Sequence, residues 1–348
     1  MKRVLVVTSG ALFVRGGHLT IAQETCAALR RAGHLSEVLV TPQNRFGRQL
    51  SAYWATWLMD VGETADGHPV DHVISFRFPS YAVRHPSHVC WLNHRMREYY
   101  DLWERFTAGL GRRGKLKEGL RRRLFHLLDR RLLTRNVTRL LAQSRTIQAR
   151  LLRFGGIGSE LLYPPAPERP YRTDTYGDYV FAVSRLHPLK RLDLLLAAAA
   201  AMRDKSLRFK LAGTGEDEGR LRERIRAFSL EDRVELLGAV SDAELVDHYA
   251  RCRAVVFAPW NEDYGFVTLE AFRSGKPVLT AADSGGPAEL VRHGETGFVA
   301  APTAESLASH LDVLAEDPAL AERMGRAALV AAREHTWQRA VEELLRTG

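Results

Sequence analysis

The chain has 348 residues, 45% of them hydrophobic and 26% charged, and a formal net charge of +9. That length favours two domains of roughly 150–200 residues, each with its own core, and the composition argues against a fibrous or disordered protein. No apolar run approaches the ~20 residues of a membrane-spanning helix.

The N-terminal "MKRVLVVTSG" breaks its short apolar run at Thr8 and Ser9, too soon for a signal-peptide core, so a cytoplasmic protein is expected. "RVLVVTS" (3–9) predicts a strand, followed by a loop with "RGG" (15–17), the helix "HLTIAQETCAALRRAG" ending at Gly33, and the strand "EVLVT" (37–41). Further strands are expected at "HVISF" (72–76), "HVCWLN" (88–93) and "TRLLAQ" (138–143). Before the last of these, residues 112–135 carry ten Lys and Arg against Glu118 and Asp129, supplying +8 by themselves. Leu116, Leu120, Leu124, Leu127 or Leu128, and Leu132 recur there at helical spacing, which predicts a basic amphipathic helix or helix pair. A leucine stripe at this spacing is what packed helices show, so the first expectation is a core-facing stripe with solvated arginines. Peripheral attraction to an acidic membrane surface is the alternative, there at the inner membrane face. Nucleic acid is not expected as a partner, because Phe125 is the one aromatic residue of the segment.

"YPPAPERPYRTDTYGD" (163–178), with Pro164, Pro165, Pro167 and Pro170, reads as a linker. Beyond it, strand-like runs at 179–185, 208–213, 233–238, 254–259 and 276–281 alternate with helical patterns at 190–204, 216–228, 242–251 and 266–274, and further helices follow residue 303. Unbroken apolar strands alternating with helices predict a parallel sheet covered on both faces. The fold class is therefore α/β, two doubly wound sheets in tandem, whose ligands bind outside the carboxyl ends of the strands. Cys26, Cys90 and Cys252 are odd in number and widely spaced, which predicts buried small hydrophobes rather than disulfides or zinc ligands.

"LAGTGEDEG" (211–219) follows a strand and opens a helix, but its spacing is GxGxxxG, and Glu216, Asp217 and Glu218 stand where a pyrophosphate would bind. Nicotinamide or flavin binding is accordingly disfavoured. No pair of aspartates lies at i and i+2, and neither a GxxxxGK[ST] loop nor an HExxH helix occurs, so chemistry without a metal or a cofactor is expected. "NEDYGFVTLE" (261–270) sits where a strand hands over to a helix. A helix start near Phe266 leaves the N–H groups of Gly265, Phe266, Val267 and Thr268 for an anion, and Gly265 admits a ligand close to the backbone. Glu262 and Glu270 flank that spot; they would repel a diphosphate, so they are expected to bind hydroxyls at its two ends, with cations nearby. Arg185 and Lys190 in "VSRLHPLKR" (183–191) are the candidate cations. Taken singly, each of these side chains is equally an ordinary solvated charge.

"EDYGFVTLE" resembles the E-x7-E signature of the retaining family 4 glycosyltransferases of the GT-B fold. "SGGPAELV" (284–291), "GETGF" (294–298), "VSRL" with Lys190, "RGGH" with "RRAGH", and "LLAQSRTIQARL" with "YPP" are similar to other segments of that family. The resemblance implies an N-terminal Rossmann-like acceptor-side domain over 1–165, a nucleotide-sugar donor domain over 176–335, and a C-terminal helix at 336–348 packing back on the first. It also implies a metal-independent, front-face transfer from a UDP- or GDP-sugar with retention. Glu270 would then hold the ribose, Arg185 and Lys190 the diphosphate together with the amides of 265–268, and Glu262 the transferred sugar. Gly16 and Gly17 would contact the donor phosphate and His94 the sugar; His18 is a weaker candidate. The acceptor is left open between a lipid-linked or envelope glycan and a soluble sugar or small molecule. A nucleotide-sugar epimerase is the competing enzyme class, and a non-enzymatic membrane- or nucleic-acid-binding protein would leave 261–270 without a purpose.

Overall fold

The structure is a computed structural model that describes residues 1–10, 17–44 and 46–346. The chain divides into two compact units, Met1–Pro164 with Thr336–Gly348, and Pro165–His335.

The first unit carries six strands: β1 (Arg3–Gly10), β2 (Leu35–Pro42), β3 (His72–Ser75), β4 (His88–Leu92), β5 (Arg139–Ala142) and β6 (Glu160–Leu161). They pair in parallel in the order β2-β1-β3-β4-β5-β6. The second unit repeats the plan with β7 (Tyr179–Val183), β8 (Arg208–Ala212), β9 (Val234–Gly238), β10 (Ala254–Val256), β11 (Val278–Ala281) and β12 (Gly297–Ala300), ordered β12-β11-β10-β7-β8-β9 and again parallel. Every residue of β3, β4, β5, β10 and β11 is buried. A sheet with helices on both faces demands this, and it explains why these strands read as unbroken apolar runs. Strand order reverses between β7 and β10, so the loops that follow these two strands stand at the topological switch point of the second sheet, where ligands of such folds bind.

After the second unit the chain returns to the first. Thr336 caps the helix Trp337–Leu345 by accepting a hydrogen bond from the Arg339 N–H. This helix joins the first unit through the Trp337 ring, 6.4 Å from Trp91, and through His72 Nε2, 2.9 Å from the Leu344 carbonyl oxygen. Cys26, Cys90 and Cys252 are buried free thiols, as expected.

The basic segment forms one helix, Arg112–Arg135, in which Leu128 and Leu132 pack partly against the core but the rest of the predicted leucine stripe faces outward. Leu116, Leu120, Leu124 and Leu127 are 69%, 60%, 40% and 65% exposed, while Glu118, Phe125, Asp129 and Leu133 are buried. The polar interior of this unit is the reason. Asp129 accepts hydrogen bonds from the hydroxyls of Tyr53, Tyr81 and Tyr100, and Glu118 accepts from Tyr99 at 2.7 Å. Phe125 stacks on Tyr99, their ring centres 4.9 Å apart. A carboxylate surrounded by donors is satisfied inside, and four tyrosines here provide what a leucine face could not use.

Candidate functional site

The loops that follow β7 and β8 run backbone against backbone, and two glycines are what let them approach. A Cβ on Gly213 would lie 1.8 Å from the Ser184 carbonyl oxygen and one on Gly215 2.1 Å from that of Leu186. The glycine pattern after β8 therefore serves backbone packing, with the Leu186 N–H donating to the Thr214 carbonyl at 2.9 Å. At the following helix start, Asp217 is held by Arg220 through bonds of 2.6 and 2.7 Å. Opposing backbones, rather than a dinucleotide, occupy the space those glycines create.

The turn Pro188–Lys190 is then lashed to the loop after β10. Arg191, in the left-handed region at φ 50°, donates to the carbonyls of Ala258 and Pro259 and forms a two-pronged pair with Asp283 at 2.7 and 2.8 Å. The Trp260 N–H donates to the Leu189 carbonyl at 2.8 Å. These ties place Lys190 Nζ 2.7 Å from Glu262 Oε2, with both side chains nearly buried, at 17% and 19% exposure. The same ammonium stands 5.5 Å from the centre of the Phe257 ring, within cation–π range.

Glu262 is fixed from its other side by the segment 284–286. Its N–H donates to the Ser284 carbonyl at 2.8 Å, and its own carbonyl accepts from the Gly286 N–H at 3.0 Å. A Cβ on Gly285 would approach the Glu262 carbonyl oxygen to 2.4 Å, so the "SGG" preceding Pro287 is what allows this clasp. Gly265, at φ 81°, faces Phe257: an added Cβ would lie 2.4 Å from Phe257 Cε1 and 3.6 Å from Glu262 Cγ. Phe266 is the N-cap of the short helix Val267–Arg273, whose first-turn amides lack intrahelical acceptors. Thr268 is fully buried, and its hydroxyl has no hydrogen-bond partner among the described residues.

The structure therefore brings Lys190, Glu262 and Gly265 together, with Phe266 and Val267 next in the chain. Arg185 lies at the end of β7 as predicted, but exposed and outside this cluster of bonds. Glu270 faces elsewhere. It is 7% exposed, its Oε1 accepts from Arg169 Nη1 at 2.7 Å, and its Oε2 accepts from the Tyr249 hydroxyl at 2.8 Å. Burial raises its carboxyl above the usual range, and the Arg169 charge and the Tyr249 bond pull it back. The cation that answers Glu270 is thus Arg169, from the proline-rich linker, rather than Arg185 or Lys190. In the first unit, His94 is half-buried in the loop after β4, and Gly17 is the exposed first residue of the helix Gly17–Arg31. Gly16 lies outside the described residues, as does the side chain of His18.

Sequence reasoning missed Arg169, Tyr249, Arg191 and Asp283. Only adjacency could have found Arg191, beside Lys190 in "LKR"; the other three are brought in by tertiary packing alone.

Three comparisons place this geometry among known proteins. The family model described as glycosyl transferases group 1 matches residues 169–330. The D-inositol 3-phosphate glycosyltransferase of Pseudarthrobacter chlorophenolicus is 32% identical over 178 residues, 49% of this chain and 42% of that protein. The exopolysaccharide phosphotransferase SCO2592 of Streptomyces coelicolor is 34% identical over 168 residues, 47% of this chain and 18% of that protein. The chain spans less than half the length of these curated relatives. Among solved structures, Anabaena Alr3699/HepE in complex with UDP and glucose superposes with a TM-score of 0.73 at 20% identity, covering 98% of this chain and 99% of that one. With two parallel six-stranded sheets, the fold is the two-domain, Rossmann-like GT-B fold, and residues 169–330 carry the match to glycosyl transferases group 1.

Proposed function

We propose that the protein transfers a sugar from a nucleotide diphosphate sugar, with UDP or GDP as the nucleotide, to an acceptor hydroxyl with retention at the anomeric carbon. The observation that carries this reading is the Lys190–Glu262 pair at 2.7 Å, set at the switch point of the second sheet beside Gly265 and an uncapped helix start. The family match over 169–330 and the UDP and glucose bound by the Anabaena protein support it.

In the proposed reaction the acceptor oxygen forms a bond to the anomeric carbon while the bond from that carbon to the diphosphate oxygen breaks. The departing phosphate oxygen takes the acceptor proton on the same face of the sugar. Negative charge grows on the diphosphate, and Lys190, Arg185 and the amides of residues 265–268 stabilise it, so no metal ion is called for. Glu262 binds the hydroxyls of the transferred sugar and orients it. Because Lys190 is paired with Glu262 before donor arrives, the diphosphate attracts the ammonium away from a carboxylate that then turns to the sugar. Glu270 is assigned to the ribose, which requires it to exchange one of its two protein partners for a hydroxyl. The roles given to Gly16, Gly17 and His94 rest on the family resemblance alone.

The test is turnover with a panel of UDP- and GDP-sugars ranked by thermal shift. Glu262→Gln and Lys190→Ala each lower kcat/KM by roughly 100-fold or more without a comparable loss of Tm, and chelator leaves the rate unchanged. Anomeric NMR showing an inverted product, or full activity in both variants, contradicts the proposal. A labelled donor converted to a different free nucleotide sugar without any acceptor identifies an epimerase instead.

A further inference from the structure

The helix Arg112–Arg135 turns its carboxylates inward and Leu116, Leu120, Leu124 and Leu127 outward. Glu118 and Asp129, its two acidic residues, are buried against tyrosine hydroxyls, so its outer surface has no negative charge. Eight of its ten Lys and Arg are exposed. At 3.6 residues per turn, Leu116, Leu120, Leu124 and Leu127 fall within an arc of about 80° opposite Phe125 and Asp129, with Arg123 and Arg130 along one flank and Lys117 and Arg135 along the other. The neighbouring helix Gln49–Trp57 is tied to it by Tyr53, which bonds to Asp129 and stacks on Phe125 at 5.7 Å. That helix and its C-cap add a second exposed stripe, Leu50, Trp54 and Leu58, at 38%, 61% and 66% exposure.

We propose that this face of the first unit docks on the surface of an acidic lipid bilayer. The leucines and Trp54 enter the boundary between headgroups and acyl chains, and the flanking arginines and lysines pair with anionic headgroups. Charge decides the occupant. A second copy of the chain would set eight exposed cations against eight more. A nucleic acid would satisfy the cations and leave four leucines in water, with Trp54 as the single exposed ring on these two helices. A bilayer takes both the charge and the apolar stripe, and an indole suits its interface. Among the described residues no helix is long and apolar enough to cross a membrane, so the contact is peripheral. The inference rests on the first unit and holds whether or not the transfer reading does.

The experiment is co-sedimentation of the full chain with phosphatidylcholine vesicles, with and without phosphatidylglycerol. Binding at least about tenfold tighter to the acidic vesicles is expected, weakening as salt is raised. The triple variant Leu116→Gln, Leu120→Gln, Leu127→Gln changes only exposed positions; its Tm matches the parent, and its affinity for acidic vesicles falls about tenfold or more. Arg123→Gln with Arg130→Gln flattens the salt dependence. Absence of binding to acidic vesicles overturns the proposal, and so does undiminished binding by the leucine variant. A dimer in sedimentation velocity that the leucine variant dissociates assigns the face to self-association instead.

Discussion

Replacing Arg169 by Met isolates what the linker contributes to the second unit. The guanidinium meets Glu270 at 2.7 Å, with side-chain exposures of 17% and 9%, and its other carboxylate partner, Asp242, is 76% exposed. The Asp242 contact is solvated and adds at most a few tenths to ~1 kcal/mol. The Glu270 contact is different: at an effective dielectric near 20 the attraction is about 6 kcal/mol, partly offset by desolvation of both ions, and removing one partner of a buried pair costs about 3–5 kcal/mol. Arg169→Met is therefore expected to destabilise the second unit by about 3 kcal/mol at pH 8, with Tyr249 left as the one donor to Glu270. The deficit depends on pH. Burial already raises the Glu270 carboxyl, and losing Arg169 raises it further. A folded-state pKa above the unfolded one means the folded variant binds the extra proton, so its stability falls as pH rises through that value. The gap from the parent thus narrows as pH falls and Glu270 of the variant takes up a proton. Denaturant unfolding followed by amide exchange within 165–335 measures the loss, and a cycle with Glu270→Gln measures the coupling, expected at about 2 kcal/mol or more. A loss below about 0.5 kcal/mol, or additivity of the two substitutions, refutes the reasoning.

Gly265→Ala sets a Cβ 2.4 Å from the Phe257 ring at φ 81°; about 2–4 kcal/mol of stability is lost, and the thermal shift given by the best nucleotide sugar shrinks with it. Asp129→Leu removes the acceptor shared by Tyr53, Tyr81 and Tyr100. The first unit weakens by about 3 kcal/mol or more, whereas Asp129→Asn, which keeps one oxygen acceptor, costs less; calorimetry ranks the two. His88 is fully buried, and burial, partly offset by its bond to the Asn136 carbonyl, lowers its imidazole from the ordinary 6.5 to about 3. Between those values the unfolded chain binds a proton that the folded one does not, so this contribution is complete above pH 6.5 and is lost as pH falls, by about 1.4 kcal/mol per pH unit. His72, lowered to about 4 by burial, acts in the same direction. Urea midpoints at pH 7 and pH 5 check the slope, which His88→Gln makes shallower.

Strand periodicity carried most of the fold. The apolar runs at 179–185, 208–213 and 254–259 correspond to β7, β8 and β10, shortened at their carboxyl ends. The trimmed residues are those that leave the sheet to build the site. β6, two residues long, and β12, which begins inside the glycine-containing "GETGF", carried too little apolar pattern to be read. At the site, Lys190, Glu262 and Gly265 were legible because the loops that carry them leave adjacent parallel strands, and the switch-point rule applies to any such sheet. Glu270 was legible as a candidate but its surroundings were not. Its two partners lie 101 and 21 residues away, a separation over which no local pattern runs.

The basic helix divides what is local from what is not. Its boundaries, charge and leucine spacing are properties of residues 112–135 alone, since helical periodicity is set by the backbone. Which face turns inward is decided by what waits there. Tyr53, Tyr81, Tyr99 and Tyr100 come from other parts of the chain and present hydroxyls to Asp129 and Glu118. A buried carboxylate is costly unless such donors surround it, and only the assembled tertiary structure supplies them. Leu116, Leu120, Leu124 and Leu127 are left outside as a consequence, so the sequence by itself determined an amphipathic helix, and packing determined which face of it water meets.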